Sequence, residues 1–170
     1  ERMFRAEQLH YTQVVPLDKI PEYRKQGNTS YVQAAYLGTY YYLVNTDRPP
    51  VDNVLVRRAL SYALDRDTLT RTVLQETAIP AYSITPPDTL GYNPPKLFDY
   101  DPAKARELLA DAGYPNGEGW PGLEIIYNTQ EAHRKIAVAV QQMWKKELNI
   151  DVTISNQEWK VYLNSVSQRD

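Results

Sequence analysis

Tyr36-Leu37-Gly38-Thr39-Tyr40-Tyr41-Tyr42-Leu43-Val44-Asn45 is apolar or aromatic at nearly every position and carries no charge. A strand with one wet face would alternate with polar residues, so this run reads as a strand covered on both faces. A buried helix is the competing reading of so short a run. The β-branched and aromatic content favours the strand, as does the turn-forming Asn45-Thr46-Asp47-Arg48-Pro49-Pro50 that follows it. On this reading Tyr40 and Val44 belong to the core. Each buried tyrosine hydroxyl then needs a hydrogen-bond partner, from the protein itself or from a polar ligand.

Downstream, helices and strands alternate. Asp52 is placed to cap a helix whose apolar stripe is Val56, Ala59, Leu60, Ala63 and Leu64. Asp67 can cap a second helix reaching Leu74. Residues 76–100 are loop-rich, with Pro80, Pro86-Pro87 and Pro94-Pro95, and with one short strand at 81–84. Asp101-Pro102 opens a helix with an N-cap and a proline at its first position, and Gly113 stands where its C-terminal cap belongs. A strand over 123–127 leads to Asn128 and Glu131, a capping pair for a long helix to Glu147. The buried face of that helix is Ala137, Val140, Trp144 and Leu148. A strand at 150–154 and a helix from Trp159 to Val166 complete the pattern, which is α/β. The inward positions predict burial of Tyr40, Val44, Leu60, Leu64, Leu108, Leu109, Ile125, Val140, Trp144 and Ile154.

Upstream, residues 1–35 are less regular. A strand over 9–15, a short helix over 17–25 and a polar turn over 26–30 are expected, and Asn28-x-Ser30 fits a glycosylation sequon. The chain opens at Glu1-Arg2-Met3 and stops at Asp170 in mid-pattern, which reads as an internal piece of a longer protein.

The bulk composition narrows the function classes. A chain of 170 residues is about one domain long, with 42% hydrophobic and 24% charged residues and a net charge of −2. There is no basic excess for a nucleic-acid partner and no apolar run of the ~18 residues that a membrane span needs. With 0 cysteines there is no disulfide, no thiolate metal ligand and no cysteine nucleophile. The 14 tyrosines beside only 2 phenylalanines point to aromatic surfaces that also need polar tips.

No cofactor, metal or catalytic motif stands out. Gly117-Glu118-Gly119-Trp120-Pro121-Gly122 spells G-x-G-x-x-G, but it follows a helix and precedes a strand, so it reads as a loop. His10 and His133 are far apart, no G-x-S-x-G occurs, and most carboxylates sit at helix caps or on charged faces. His133 lies in the first turns of the long helix. It is either a solvent-facing or satisfied histidine, the commoner case, or a cation that draws a carboxylate to a helix N-terminus. Trp159 is either a core residue at a strand–helix junction or a stacking platform for a ligand.

The blocks Tyr36-Leu37-Gly38-Thr39-Tyr40-Tyr41-Tyr42, Val56-Arg57-Arg58-Ala59-Leu60 and Ala63-Leu64-Asp65-Arg66-Asp67 resemble the extracytoplasmic oligopeptide-binding proteins of ABC transporters. Further matches are Pro80-Ala81-Tyr82-Ser83 with Pro86-Pro87, and Leu108-Leu109-Ala110-Asp111-Ala112-Gly113-Tyr114. Tyr127-Asn128-Thr129 with His133, Met143-Trp144-Lys145-Lys146 and Asn156-Gln157-Glu158-Trp159-Lys160 complete the set. The blocks are collinear from Tyr36 to Leu163, and the last points to the oligopeptide branch.

The resemblance implies one lobe of a two-lobe, type II periplasmic-binding-protein fold, with a mixed sheet flanked by helices. Residues 1–30 would be the end of the first lobe and a hinge crossing, and 31–170 the second, cleft-lining lobe. It implies a non-enzymatic protein outside the cytoplasm that closes on extended oligopeptides and hands them to a membrane permease. Tyr36, Tyr41, His133, Trp159 and Leu163 fall at positions that line the cleft, and His133 matches a histidine used for the peptide C-terminus. Two departures stand out. Tyr36 and Tyr41 would point to opposite faces of an ideal strand. Gly38 occupies the place of one half of a disulfide in close relatives. The segment whose aspartate receives the peptide α-ammonium would follow Asp170. The alternatives are another ligand of the same family, such as a murein peptide or an oligosaccharide, and, from a different class, an α/β hydrolase.

Overall fold

The computed structural model describes residues 1–25, 29–34 and 36–169. Gln26, Gly27 and the sequon's Asn28 lie outside the described residues. The architecture is α/β, built on one β-α-β unit. Strand β1 (Leu123–Asn128) leads into helix α6 (Glu131–Leu148) and back to strand β2 (Val152–Gln157). The strands pair in parallel, Leu123 opposite Val152 through to Asn128 opposite Gln157. Ile125 and Tyr127 of β1 and Val152 of β2 are buried in one core with Ile136, Ala137, Val140, Trp144 and Leu148 of α6. The long helix therefore buries the stripe that its sequence spacing predicts.

Before this unit come α1 (Arg2–Arg5), α2 (Ile20–Lys25), α3 (Val54–Tyr62), α4 (Arg66–Thr68) and α5 (Pro102–Asp111), and after it α7 (Trp159–Gln168). Helix α3 packs on α5, α5 on α6, and α7 against β1. Asp101 caps α5 by accepting from Lys104 N–H at 2.9 Å. Gly113, with φ +99°, closes it in the left-handed region that a side chain would strain. Asn53 rather than Asp52 caps α3, and Asp65 rather than Asp67 caps α4, which continues as a wide π-turn over Leu69–Val73.

The C-terminus of α3 is where the layers are pinned. In an uninterrupted helix Leu60 C=O would accept from the amide of residue 64, but Leu64 N–H turns to Ser61 O at 3.3 Å. The buried Trp144 indole N–H, 2.9 Å away, takes the vacated carbonyl. Arg66 satisfies its neighbours, with Nη1 3.0 Å from Ser61 O and Nη2 2.9 Å from Ser61 Oγ.

The glycine-rich loop has a structural task. Gly117 has φ +77°, and a Cβ there would lie 2.5 Å from the Asn149 carbonyl oxygen at the end of α6. Asn149 Nδ2 donates to Asn116 O at 3.0 Å and Trp120 Nε1 to Asp151 O at 3.1 Å. The loop is thereby clamped to the turn between α6 and β2.

The largest departure from the sequence reading is residues 36–45. Among the described residues no strand runs beside them, so the backbone has no ladder and is extended rather than a strand. Consequently Tyr40 and Val44 are exposed, at 48% and 43%, and Tyr36 and Leu37 more so. Leu60, Leu108, Leu109, Ile125, Val140 and Trp144 are buried as predicted. Leu64 and Ile154 are half-buried, packed on the rim of the core. Residues 9–15 and 81–84 form no strand, for the same lack of a partner.

Two substitutions test this account. Gly117→Ala combines a left-handed backbone with a clash against main chain and should destabilise the protein by about 1–3 kcal/mol in denaturant unfolding. Trp144→Phe keeps the ring but orphans Leu60 C=O, and should cost about 1–3 kcal/mol. An unchanged midpoint in either variant would refute the corresponding contact.

Candidate ligand-binding site

The β1–α6 junction carries the polar and aromatic groups that the fold leaves over. β1 buries its odd-numbered side chains Ile125 and Tyr127, so Asn128 lies on the other face, beside its ladder partner Gln157. The chain then turns through Thr129, whose N–H extends the ladder to Gln157 O at 2.9 Å. Helix α6 starts at Glu131, with Gln130 at its N-cap and no side-chain cap. The expected capping role of Asn128 is not observed, because its side chain is used elsewhere. Asn128 Oδ1 lies 2.7 Å from Nδ1 of His133.

His133, the third residue of α6, is half-buried. Tyr40 lies over its ring, with centroids 4.8 Å apart, and Tyr42 packs edge-on against Tyr40 at 6.0 Å. Trp159 stacks on Tyr162 at 5.9 Å in the first turn of α7. Tyr162 is close enough to Tyr40 to contribute to its electrostatics. Asn128, His133, Tyr40, Tyr162 and Trp159 thus form one string from β1 and α6 across the 36–45 segment to α7.

The site is electrically quiet near neutral pH. Burial holds His133 below its ordinary value of 6.5 and favours the neutral imidazole. Tyr40 keeps about half of its surface exposed, yet burial, helped by Tyr162, pushes its phenol up to about 12. Tyr42 is pushed higher still, by burial first and then by Tyr40. Two buried polar atoms, Tyr42 Oη and Gln157 Oε1, have no partner among the described residues. Aromatic faces, hydroxyls, amides and one imidazole suit a polar, neutral or anionic organic ligand. Among the described residues no cluster of three His, Cys, Asp or Glu side chains could hold a metal ion.

Of the residues singled out from the sequence, His133 is at the centre of this string and Trp159 at its end. Leu163 is exposed one turn beyond Trp159, on the same side of α7. Tyr36 and Tyr41 are exposed, and among the described residues neither ring packs on His133 or Trp159. The Tyr36 ring folds back over Gly38 instead. Tyr40, Tyr42, Tyr162 and Asn128 were not singled out as site residues. Reading the 36–45 segment as a doubly covered strand places Tyr40 in a core. The surplus of tyrosines over phenylalanines is the signal for Tyr42 and Tyr162, whereas spacing marks Asn128 only as a helix cap.

Comparison with known proteins agrees with this architecture. The chain is 37% identical over 163 residues to the oligopeptide-binding protein OppA of Bacillus subtilis, covering 92% of this chain and 30% of that one. It is 46% identical over 136 residues to the periplasmic murein peptide-binding protein MppA of Escherichia coli, covering 76% and 25%. A crystal structure of a periplasmic oligopeptide-binding protein from Borrelia burgdorferi superposes with a TM-score of 0.89 at 40% identity, over 96% of this chain and 33% of that one. The chain spans a quarter to a third of the length of these relatives, and over that part it has the α/β lobe of a periplasmic-binding-protein fold. Residues 1–170 match throughout the middle part of the bacterial extracellular solute-binding proteins of family 5, and the chain belongs to that family.

Proposed function

We propose that residues 1–170 are the cleft-lining part of a protein that captures extended oligopeptides outside the cytoplasm and delivers them to the permease of an ABC transporter. Residues 1–30 are the end of one lobe with a hinge crossing, and 31–170 the second lobe. The observation that carries this reading is His133, half-buried at the head of an 18-residue helix and flanked by exposed aromatic rings. Such a group receives a carboxylate, while the rings of Tyr36, Tyr40, Tyr41 and Trp159, with Leu163, cover an extended chain without demanding a particular side chain. The role is binding, not catalysis. A hydrolytic histidine needs a nucleophile within hydrogen-bond reach, and among the described residues the only side-chain hydrogen bond of this imidazole is to an amide. The 46% identity to a murein peptide-binding protein favours a cell-wall peptide as the second reading. Mass spectrometry of ligands co-purifying with the full-length protein separates the two.

His133→Ala in the full-length protein should weaken peptides with a free C-terminal carboxylate by about 1–2 kcal/mol and leave their C-terminal amides unchanged. Because His133 is held below 6.5, wild-type affinity for the free acid should rise as pH falls from neutrality towards that depressed value. Equal, pH-independent affinity for acid and amide would remove His133 from the site.

Residues 1–170 alone should not bind peptide measurably. Closure on a ligand takes two faces, and a half-covered extended peptide bears its ordering cost without most of its backbone hydrogen bonds. Calorimetric titration with a tri- to pentapeptide pool should show no binding heat at millimolar concentration. Saturable micromolar binding would show this lobe to be self-sufficient.

A further inference from the structure

The hydrogen bond between Asn128 and His133 has a chemical consequence for what the site can accept. A neutral imidazole has one N–H donor and one bare acceptor nitrogen, and which is which depends on the partner of each. Asn128 Oδ1 is an acceptor at 2.7 Å from Nδ1, so the proton of the neutral ring sits on Nδ1. Gln157, beside Asn128 in the strand register, has a buried Oε1 with no partner among the described residues. Nε2 is then left as a bare lone pair, which repels a carboxylate until it gains a proton.

We propose that Asn128 is a positioning residue that presents Nε2 of His133 to the ligand, so that a terminal carboxylate binds only together with one proton. The inference rests on the reading of His133 as the carboxylate anchor. The balance is simple: neutral imidazole, carboxylate and one solvent proton give an imidazolium–carboxylate pair, with Nδ1–H still donated to Asn128 and the new N–H on Nε2. No covalent bond changes.

The surroundings leave this proton to the ligand. The groups facing His133 are Tyr40 from the 36–45 segment and Asn128 from β1, both uncharged, with Tyr162 of α7 behind Tyr40. On α6 itself the nearby charges are Glu131, Arg134 and Lys135, and Glu131 is paired with Lys135 at 2.8 Å. Burial alone accounts for the lowered basicity of His133, with no carboxylate holding the cation in place.

The test uses the full-length protein with trialanine and trialanine amide. Calorimetry at pH 7.5, repeated in buffers of different ionisation enthalpy, should show uptake approaching one proton per trialanine and none for the amide. Asn128→Asp puts a carboxylate against Nδ1 and keeps the ring cationic in the free protein, so uptake should fall towards zero while binding persists. Asn128→Leu frees the other tautomer, whose Nε2–H can donate to the carboxylate without a solvent proton, so proton uptake on binding trialanine should fall well below the wild-type value. Imidazole nitrogen shifts of the ligand-free protein should report Nδ1–H in the wild type and a shift to Nε2–H in Asn128→Leu. Should that variant fail to fold, the isosteric Asn128→Asp and the wild-type tautomer carry the test. An Nε2–H tautomer in the wild type, or unchanged proton uptake in Asn128→Asp, overturns the positioning role. If His133→Ala leaves the preference for acid over amide intact, the anchor reading fails as well. If His133→Ala abolishes that preference while the Asn128 variants change nothing, only the positioning role fails.

Discussion

One buried hydrogen bond, from the Trp144 indole to Leu60 C=O, holds the two halves of the described fold in register. Helix α3 ends in a core that excludes water, and its last carbonyls must be satisfied there or the burial is paid for in lost hydrogen bonds. Trp144 supplies one donor and Arg66 supplies others. Because Trp144 sits on the same face of α6 as Ala137, Val140 and Leu148, this bond also fixes the rotation of α6 about its axis. That rotation decides where His133, three turns earlier, is presented.

The two ends of α6 are held by different means. At the C-terminal end, the loop around Gly117 closes onto Asn149, and Trp120 reaches Asp151. These contacts are backbone-directed and leave little freedom. At the N-terminal end no side chain caps the helix, and Asn128 spends its oxygen on His133 instead of on the helix amides. The N-terminal amides of α6 and the imidazole thus lie at the C-terminal end of the strands, beside the aromatic rings of the 36–45 segment and α7. A rigid scaffold with its unsatisfied groups gathered at one place is the arrangement that ligand binding requires.

The side chains that touch the His133 ring there are uncharged. The phenols of Tyr40 and Tyr42 are uncharged at neutral pH and burial pushes them further up, and the same burial disfavours the charged form of His133. The relatives compared above are oligopeptide-binding proteins and a murein peptide-binding protein. A surface of aromatic faces with few fixed charges can be adapted to different molecules by changing a few polar tips. The polar side chains gathered at that place in this chain are Asn128, His133, Tyr42 and Gln157.

The sequence by itself determined helices α3, α5, α6 and α7 and the order of the β-α-β unit, because their information is local. Strand β2, however, forms at Val152–Gln157 rather than at 150–154, and α1 carried no signal. The apolar stripe through Ala137, Val140, Trp144 and Leu148, the Asp101-Pro102 start and the Gly113 stop each state a periodicity or a cap that any tertiary context would keep. It also carried the family, through collinear blocks from Tyr36 to Leu163. Local pattern could not decide the state of residues 36–45. An apolar, β-branched run becomes a strand only when another strand lies beside it, and no neighbour is present among the described residues, so Tyr40 became a surface ring over His133 instead of a core residue. Nor could spacing reveal the pairing of Asn128 with His133. Asn128 suited a helix cap equally well, and only the turn of the chain between β1 and α6 brought its amide against an imidazole five residues away.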